Sequence, residues 1–78
     1  MFKGVSMKSA LDVSEILKLL ASNLYLTRKQ VAHVLRMSPG TLANWASVGK
    51  GPRFEKLGGR VCYPSEAFRR YLEEHNLI

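Results

Sequence analysis

Cysteine is nearly missing from this 78-residue sequence, since Cys62 is the only one. A single cysteine excludes an internal disulfide framework and any zinc site built on cysteines. Because Cys62 lies within a predicted strand, we expect it to be a small apolar packing residue. The two histidines, His33 and His75, have no Cys, Asp or second His at ligand spacing, so no metal site is expected.

Long apolar runs and catalytic motifs are missing as well. The longest apolar clusters are interrupted by Lys18, Ser22 and Asn23, which leaves no stretch of transmembrane length and no signal-peptide pattern. We therefore expect a soluble, cytoplasmic protein. The sequence has no Ser–His–Asp set, no paired carboxylates, no P-loop and no dinucleotide fingerprint. It is predicted not to be an enzyme and to need no cofactor.

Acidic residues are few, with six Asp and Glu against twelve Lys and Arg and a formal net charge of +6. The excess is concentrated, because residues 27–70 carry nine Lys and Arg against only Glu55 and Glu66. A solvated basic face is the ordinary explanation for such a surplus. A surplus confined to one segment favours a polyanionic partner instead. The length fits one domain with a small core.

Two short amphipathic helices are predicted in the middle of the chain. The first is capped by Thr27 and spans residues 28–35. The second begins at Pro39 behind the N-cap Ser38, and Pro suits the first helical position because its missing N–H is not needed there. Only two residues separate these helices, which forces a sharp turn. The pattern is that of a helix-turn-helix with the second helix in the recognition position, although an ordinary helical hairpin also fits it.

A β-hairpin is predicted after the second helix, because Gly58 and Gly59 separate two β-favouring runs. The resulting cross-strand pairs are Leu57/Arg60, Lys56/Val61, Glu55/Cys62 and Phe54/Tyr63. The alternation of apolar residues in this register is imperfect, so a bulge or a longer turn stays open. A further helix is predicted to begin at residues 64–66.

The N-terminal part is predicted to form a flexible segment at residues 1–8, followed by a single domain at residues 9–78. A helix over about residues 10–22 is expected to begin with a capping box from Ser9, with Asp12 in the N3 position. Its apolar stripe is expected to pack on its own domain, with docking of a partner chain as the alternative. Either Met1 or Met7 could be the true start of the chain.

The apolar stripes together predict one small core, in which Trp45 packs rather than serving as a base-stacking platform. The predicted core residues are Leu24, Leu26, Val31, Leu35, Leu42, Trp45, Phe54, Val61, Tyr63, Phe68, Tyr71 and Leu72.

Five segments of residues 25–72 serve as landmarks in a fixed order, and they are Leu26–Ala32, Ser38–Trp45, Gly49–Pro52, Gly58–Arg60 and Tyr63–Ser65. This ordered set resembles that of the small MerR-like winged-helix proteins, a group that includes phage excisionases and AlpA-type regulators. The resemblance implies a mainly α fold with a small β-hairpin, a winged helix-turn-helix to which the N-terminal helix is an addition. It also implies that the hairpin, as the wing, reaches the minor groove beside the recognition helix.

Double-stranded DNA is the expected partner, and the predicted base-reading residues are Pro39, Gly40, Thr41 and Asn44. Asn44 suits the adenine edge, and Thr41 suits a thymine methyl or a phosphate, because a helix in the major groove reads bases near its N-terminus. Pro39 and Gly40 have little bulk, which allows a close approach. Plain solvent exposure is the alternative for Thr41 and Asn44.

Seven further residues are predicted to contact the DNA. Those expected to bind phosphate are Arg28, Lys29, Ser38 and Lys50, and those expected in the wing are Arg53, Lys56 and Arg60. Cations in the first turn of a helix oppose its dipole, and an external anion explains why Arg28 and Lys29 are tolerated there. Unpaired N–H groups behind Ser38 favour phosphate too. Within the wing, Arg60 is preferred to Lys56 because it lies at the tip.

Three functions fit these features. The first is an excisionase that directs site-specific recombination beside a recombinase, or an AlpA-like transcriptional regulator. The second is a DNA-recognition subunit of a phage packaging or replication complex, and the third is a protein-interaction module without DNA. No sustained heptad repeat is present, so we expect a monomer that binds cooperatively to tandem DNA sites. Pairing through the Val13/Ile16/Leu17/Leu20 stripe is the rival.

Overall fold

Four helices and three short strands make up residues 12–78, the part of the chain that the computed structural model describes. In chain order they are α1 (Val13–Ser22), β1 (Tyr25–Thr27), α2 (Arg28–Leu35), α3 (Pro39–Ser47), β2 (Glu55–Leu57), β3 (Arg60–Pro64) and α4 (Ser65–Glu74). This arrangement confirms the predicted winged helix-turn-helix with an extra N-terminal helix. The sheet has one more strand than the predicted hairpin.

Helices α2 and α3 begin where the sequence predicts, because each has a side-chain cap. The Gln30 backbone N–H donates to Thr27 Oγ1 at 3.1 Å, and the Thr27 N–H donates back to Gln30 Oε1 at 2.9 Å. The Thr41 N–H donates to Ser38 Oγ at 3.1 Å. Arg36 ends α2 in the left-handed conformation, with φ of 60°. The caps fix the starts of the two helices, while Arg36 and the Ser38 cap define the sharp turn between them.

The start of α1 differs from its prediction. Asp12 is the N-cap rather than N3, since its backbone is extended and its Oδ1 accepts the Glu15 N–H at 2.9 Å. The capping box is therefore formed by Asp12 and Glu15, which places the first helical residue at Val13 instead of about residue 10. Ser9, Met7 and the segment 1–8 lie outside the described residues.

The sheet is antiparallel in the order β1-β3-β2. Gly58 and Gly59 have φ of 57° and 80°, which is the geometry of a type I′ turn. The register Leu57/Arg60, Lys56/Val61, Glu55/Cys62 is confirmed, and it is regular rather than bulged. Phe54 precedes β2, so it pairs with Tyr63 through ring packing, with centroids 6.0 Å apart, and not through the ladder.

Strand β1 connects the N-terminal helix to the rest of the sheet. It pairs with β3 so that Leu26 lies opposite Tyr63, and both side chains are buried. The Ser65 hydroxyl donates to the Asn23 carbonyl, and the Ser65 N–H donates to the Leu24 carbonyl at 3.0 Å. These bonds join the end of α1 to the start of α4.

The core is shared by all four helices and two of the strands. Its buried members are Ile16, Leu20, Leu26, Val31, Ala32, Leu42, Tyr63, Phe68 and Leu72. Leu35, Trp45, Phe54, Val61 and Tyr71 pack against it while partly exposed, as the prediction for Trp45 requires. Burial of Ile16 and Leu20 confirms that α1 packs on its own domain.

Leu24 was wrongly predicted to lie in the core, because its side chain is 81% exposed. It occupies the bend between α1 and β1, where its carbonyl accepts a hydrogen bond from the Ser65 N–H and its side chain faces solvent. The helical stripe of α1 ends at Ser22, so continuing the helical spacing to Leu24 was the error.

Within residues 12–78, no helix has the length and apolar character needed to cross a membrane, and no three metal-ligating side chains lie together. Cys62 is half-buried in β3 and its thiol is free.

Candidate nucleic-acid interface

Helix α3 divides into a buried side and an exposed side. Leu42 is buried in the core, whereas Thr41 and Asn44 are exposed, as are Pro39 and Gly40 in the first turn. The helical spacing of Thr41 and Asn44 places them on one face. The four predicted base-reading residues are therefore all exposed, and they extend from the first turn of α3 to Asn44.

The side chains of Thr41 and Asn44 differ in their hydrogen bonding. The Thr41 hydroxyl lies 3.0 Å from Ser38 Oγ, so it is part of the cap, and its methyl group stays available. The Ser47 hydroxyl donates to the Asn44 carbonyl at 2.9 Å. Within residues 12–78 the Asn44 side-chain amide makes no hydrogen bond, which leaves two donors and a carbonyl acceptor free for a ligand.

The first turn of α3 is open to a close neighbour. A Cβ added to Gly40 would meet only Ser38 Oγ, at 3.8 Å. Ser38 satisfies one of the N–H groups that a helix start leaves unpaired. The remaining N–H groups and the positive end of the helix dipole favour an anion beside Ser38.

Arg28 and Lys29 occupy the first turn of α2, and their environments differ. Lys29 is exposed. Arg28 is half-buried, and its Nε is buried without a hydrogen-bond partner in the part of the chain that the structure describes. Both ion pairs of the described residues involve other arginines, Arg53 with Glu55 and Arg69 with Glu73. The guanidinium of Arg28 is therefore held in place by packing rather than by a carboxylate.

A groove of about 180 Å³ opens between the start of α2, the side of α3 and the hairpin. Its lining residues are Arg28, Ala43, Ala46, Ser47, Phe54, Lys56 and Val61. Two of them are cations and none is a carboxylate. We call it the Arg28–Lys56 groove. The sequence predicted both cations as DNA contacts but not their meeting in one groove, because that depends on the tertiary packing of α2 against the hairpin.

The two faces of the hairpin carry different residues. Paired residues of an antiparallel ladder share a face, so Lys56 lies with Val61 towards the core and the groove. Leu57 and Arg60 share the opposite face at the turn, and both are exposed. Arg53 lies 3.8 Å from Glu55 in an exposed ion pair, which holds it only weakly.

Lys50 follows α3 and is held over Trp45. Its Nζ lies 5.0 Å from the ring centroid, and its backbone N–H donates to the Trp45 carbonyl at 2.8 Å. The neighbouring Gly51 has φ of 86°, and an added Cβ would lie 2.9 Å from Trp45 Cε3. The close fit of Gly51 on Trp45 helps to hold Lys50 just beyond the end of α3.

The charges of the described residues are segregated along the fold. The segment 25–64 holds seven cations against Glu55 alone; they are Arg28, Lys29, Arg36, Lys50, Arg53, Lys56 and Arg60. Arg36 lies apart from the rest, beside Ile16 and Leu72. The other basic residues therefore lie in the first turn of α2, in the loop after α3, and in or just before the hairpin, next to the helix predicted to read DNA.

A family model described as "Helix-turn-helix domain" matches residues 25–76, the whole of the fold from β1 to the end of α4. No curated protein and no solved structure gives a significant match. Helix α1 lies outside the matched segment, in agreement with its prediction as an addition to the family core.

Proposed function

Because the chain belongs to the helix-turn-helix domain family, we propose that it binds double-stranded DNA in a sequence-specific manner. Helix α3 enters the major groove, and the β2–β3 hairpin contacts the neighbouring minor groove and backbone. Of the described residues, Asn44 and Thr41 read base edges, while Lys29, Lys50 and Arg60 bind the backbone.

The observation that carries this proposal is the exposed side of α3, on which Asn44 has a free amide, together with the basic residues of α2, the Lys50 loop and the hairpin. An Asn amide offers the paired donor and acceptor that match the adenine edge in the major groove. Gly40 and Pro39 keep the approach open. The neighbouring cations supply attraction to phosphate without sequence preference, and Asn44 supplies the preference.

The biological role that we infer is that of an excisionase acting beside a site-specific recombinase, or of an AlpA-like transcriptional regulator. The helix-turn-helix domain family includes small DNA-binding proteins of these types. The MerR-like order of landmarks, from Leu26–Ala32 to Tyr63–Ser65, supports the same inference. Such a role places the protein in the cytoplasm.

The assembly that we infer is a monomer that binds cooperatively on tandem sites. A module of this size covers a short site, so several copies or an adjacent partner are needed for useful specificity. Burial of Ile16 and Leu20 supports the monomer, because it removes half of the stripe that would pair two copies. Val13 and Leu17 are 48% and 37% exposed, so self-association through them is the competing arrangement. Sedimentation without DNA separates the two, and a species of twice the monomer mass would contradict the monomer.

The proposed function is tested by selecting duplexes from a randomised pool and titrating the recovered sequence at several salt concentrations. If the protein neutralises roughly four to six phosphates, the slope of log K against log salt is roughly −4 to −5. Failure to enrich any sequence, or a slope near zero, would contradict the proposal.

Two variants then distinguish reading from backbone binding. Asn44→Ala is expected to lose about 1–3 kcal/mol on the selected duplex and little on random DNA. Lys29→Ala is the matched control, and it is expected to weaken both duplexes about equally while making the salt dependence shallower. If Asn44→Ala weakens both duplexes equally, α3 is not the reader.

A further inference from the structure

We propose that the Arg28–Lys56 groove is a seat for a single phosphate of the DNA backbone, held jointly by the first residue of α2 and a residue of the hairpin. This inference rests on the proposed function and adds to it. It assigns two cations from different elements to one phosphodiester, and it gives Lys56 a more central part than Arg60 at the tip of the hairpin.

The first observation is the state of the Arg28 side chain. Its Nε is buried without a partner within the described residues, and none of the residues that line the groove is acidic. Arginine stays charged even when it is partly buried, so its N–H groups need an acceptor. Arg28 lines the groove, so an oxyanion in the groove offers an acceptor to its guanidinium group, whose planar shape suits phosphate oxygens.

The second observation is that the hairpin register places Lys56 at the same groove. Lys56 pairs with Val61, and both line the groove together with Phe54. Two cations without a carboxylate between them repel each other, and a bound anion relieves that repulsion. The Ser47 hydroxyl also lines the groove, but it donates to the Asn44 carbonyl, so the two cations carry the binding.

The third observation is the position of the groove relative to the reading surface. Its α3 wall consists of Ala43, Ala46 and Ser47, and Asn44 directly follows Ala43 in the helix. These side chains are small, which keeps the α3 wall of the groove open. Because phosphate contacts fix the register of a protein on the duplex, a phosphate seated here sets how Asn44 meets the base edges.

The occupant is tested first with inorganic phosphate, observed through the ¹H–¹⁵N resonance of the Arg28 Nε–H group. We expect a saturable shift as phosphate replaces chloride at constant ionic strength. Lys56→Gln should weaken that binding about threefold to fivefold, the effect of one exposed charge pair. Arg70→Gln, on the exposed surface of α4, is the matched control and should leave it unchanged. The proposal would be overturned if chloride produced the same shift, or if Lys56→Gln left the affinity for phosphate unchanged.

The sharing of one phosphate is tested with a random-sequence duplex and the variants Arg28→Gln, Lys56→Gln and the double variant. If both cations bind one phosphate, the double variant should reduce the magnitude of the slope of log K against log salt by about 0.9, the contribution of a single phosphate. If they bind separate phosphates, the reduction should be about 1.8. The pair Arg28→Gln with Lys50→Gln is the control and should give the larger value. Arg28→Lys retains the charge. If it binds DNA while Arg28→Gln does not, the loss in Arg28→Gln comes from the missing charge, and a loss in both variants indicates that the fold is damaged.

These results separate the groove from the proposed function. Suppose that the wild-type protein binds a selected duplex and that the Arg28→Gln/Lys56→Gln variant reduces the magnitude of the salt slope by about 1.8. That result would overturn the sharing of one phosphate and leave the proposed function intact. A wild-type protein that binds no duplex would contradict the proposed function, while a saturable shift of Arg28 with phosphate would still support an anion seat.

Discussion

Residues 25–64 and the two flanking helices α1 and α4 build one core, but their surfaces carry opposite charge. The segment 25–64 has seven cations against Glu55. The flanking regions hold five acids (Asp12, Glu15, Glu66, Glu73 and Glu74) against Lys18, Arg69 and Arg70. The difference indicates a division of labour. Helices α1 and α4 carry few of the basic residues and contribute to the core, while the segment 25–64 presents the basic surface that we propose binds DNA.

Removing a core residue of α4 is expected to give the largest effect. Phe68 is fully buried, so Phe68→Ala should cost about 3–5 kcal/mol of stability. A domain of this size holds only about 4–12 kcal/mol in total, so DNA binding should fail as well, although Phe68 lies outside the interface. Urea unfolding measures the loss.

Leu24→Ala is the matched control for Phe68→Ala. Leu24 belongs to the same supporting region and is mostly exposed, so its truncation should change stability by about 0.5 kcal/mol or less. A loss below 1 kcal/mol for Phe68→Ala would show that α4 does not support the binding region.

Gly51→Ala tests the loop that follows α3, with an expected loss of about 1–3 kcal/mol. The residue has positive φ, and the added Cβ would lie 2.9 Å from Trp45 Cε3. Gly49→Ala is the matched control, because Gly49 also has positive φ but no atom within 4 Å of the added Cβ. It should cost only the backbone strain, about 1 kcal/mol. Equal losses in thermal or urea unfolding would contradict the close fit of Gly51 on Trp45.

Gly40→Ala separates stability from binding within α3. The added methyl group has space in the free protein, so stability should rise by about 0.4–1 kcal/mol. The same methyl group lies where α3 approaches the DNA, and we expect it to weaken binding of the selected duplex by about 1 kcal/mol. Urea unfolding and duplex titration measure the two effects. Greater stability with unchanged affinity would mean that the first turn of α3 does not approach the DNA closely.

The sequence was most informative where the determining chemistry lies within a few adjacent residues. The caps at Thr27 and Ser38 and the turn at Gly58–Gly59 are complete local signals, so α2, α3 and the hairpin register were predicted correctly. Strand β1 was missed because three residues are too few to show a period. The start of α1 was misplaced because Asp12 fits both N3 and the N-cap, and only the backbone conformation decides between them.

In the candidate site, too, the features set by adjacent residues could be predicted, and those that depend on tertiary packing could not. Exposure of Thr41 and Asn44 follows from helical spacing, so the exposed side of α3 could be predicted. The Arg28–Lys56 groove could not, because its two cations are distant in sequence and meet only through the packing of α2 and α3 against the hairpin. The burial of Arg28 Nε likewise depends on neighbours from other elements.

The most direct test of this division of labour is a ¹H–¹⁵N titration of the whole chain with the selected duplex. Backbone amides in α2, α3, the Lys50 loop and the hairpin are expected to shift most. Amides of α1 and of α4 are expected to shift little. Large shifts concentrated in α1 and α4, or shifts spread evenly over the fold, would contradict the assignment of DNA binding to the basic surface.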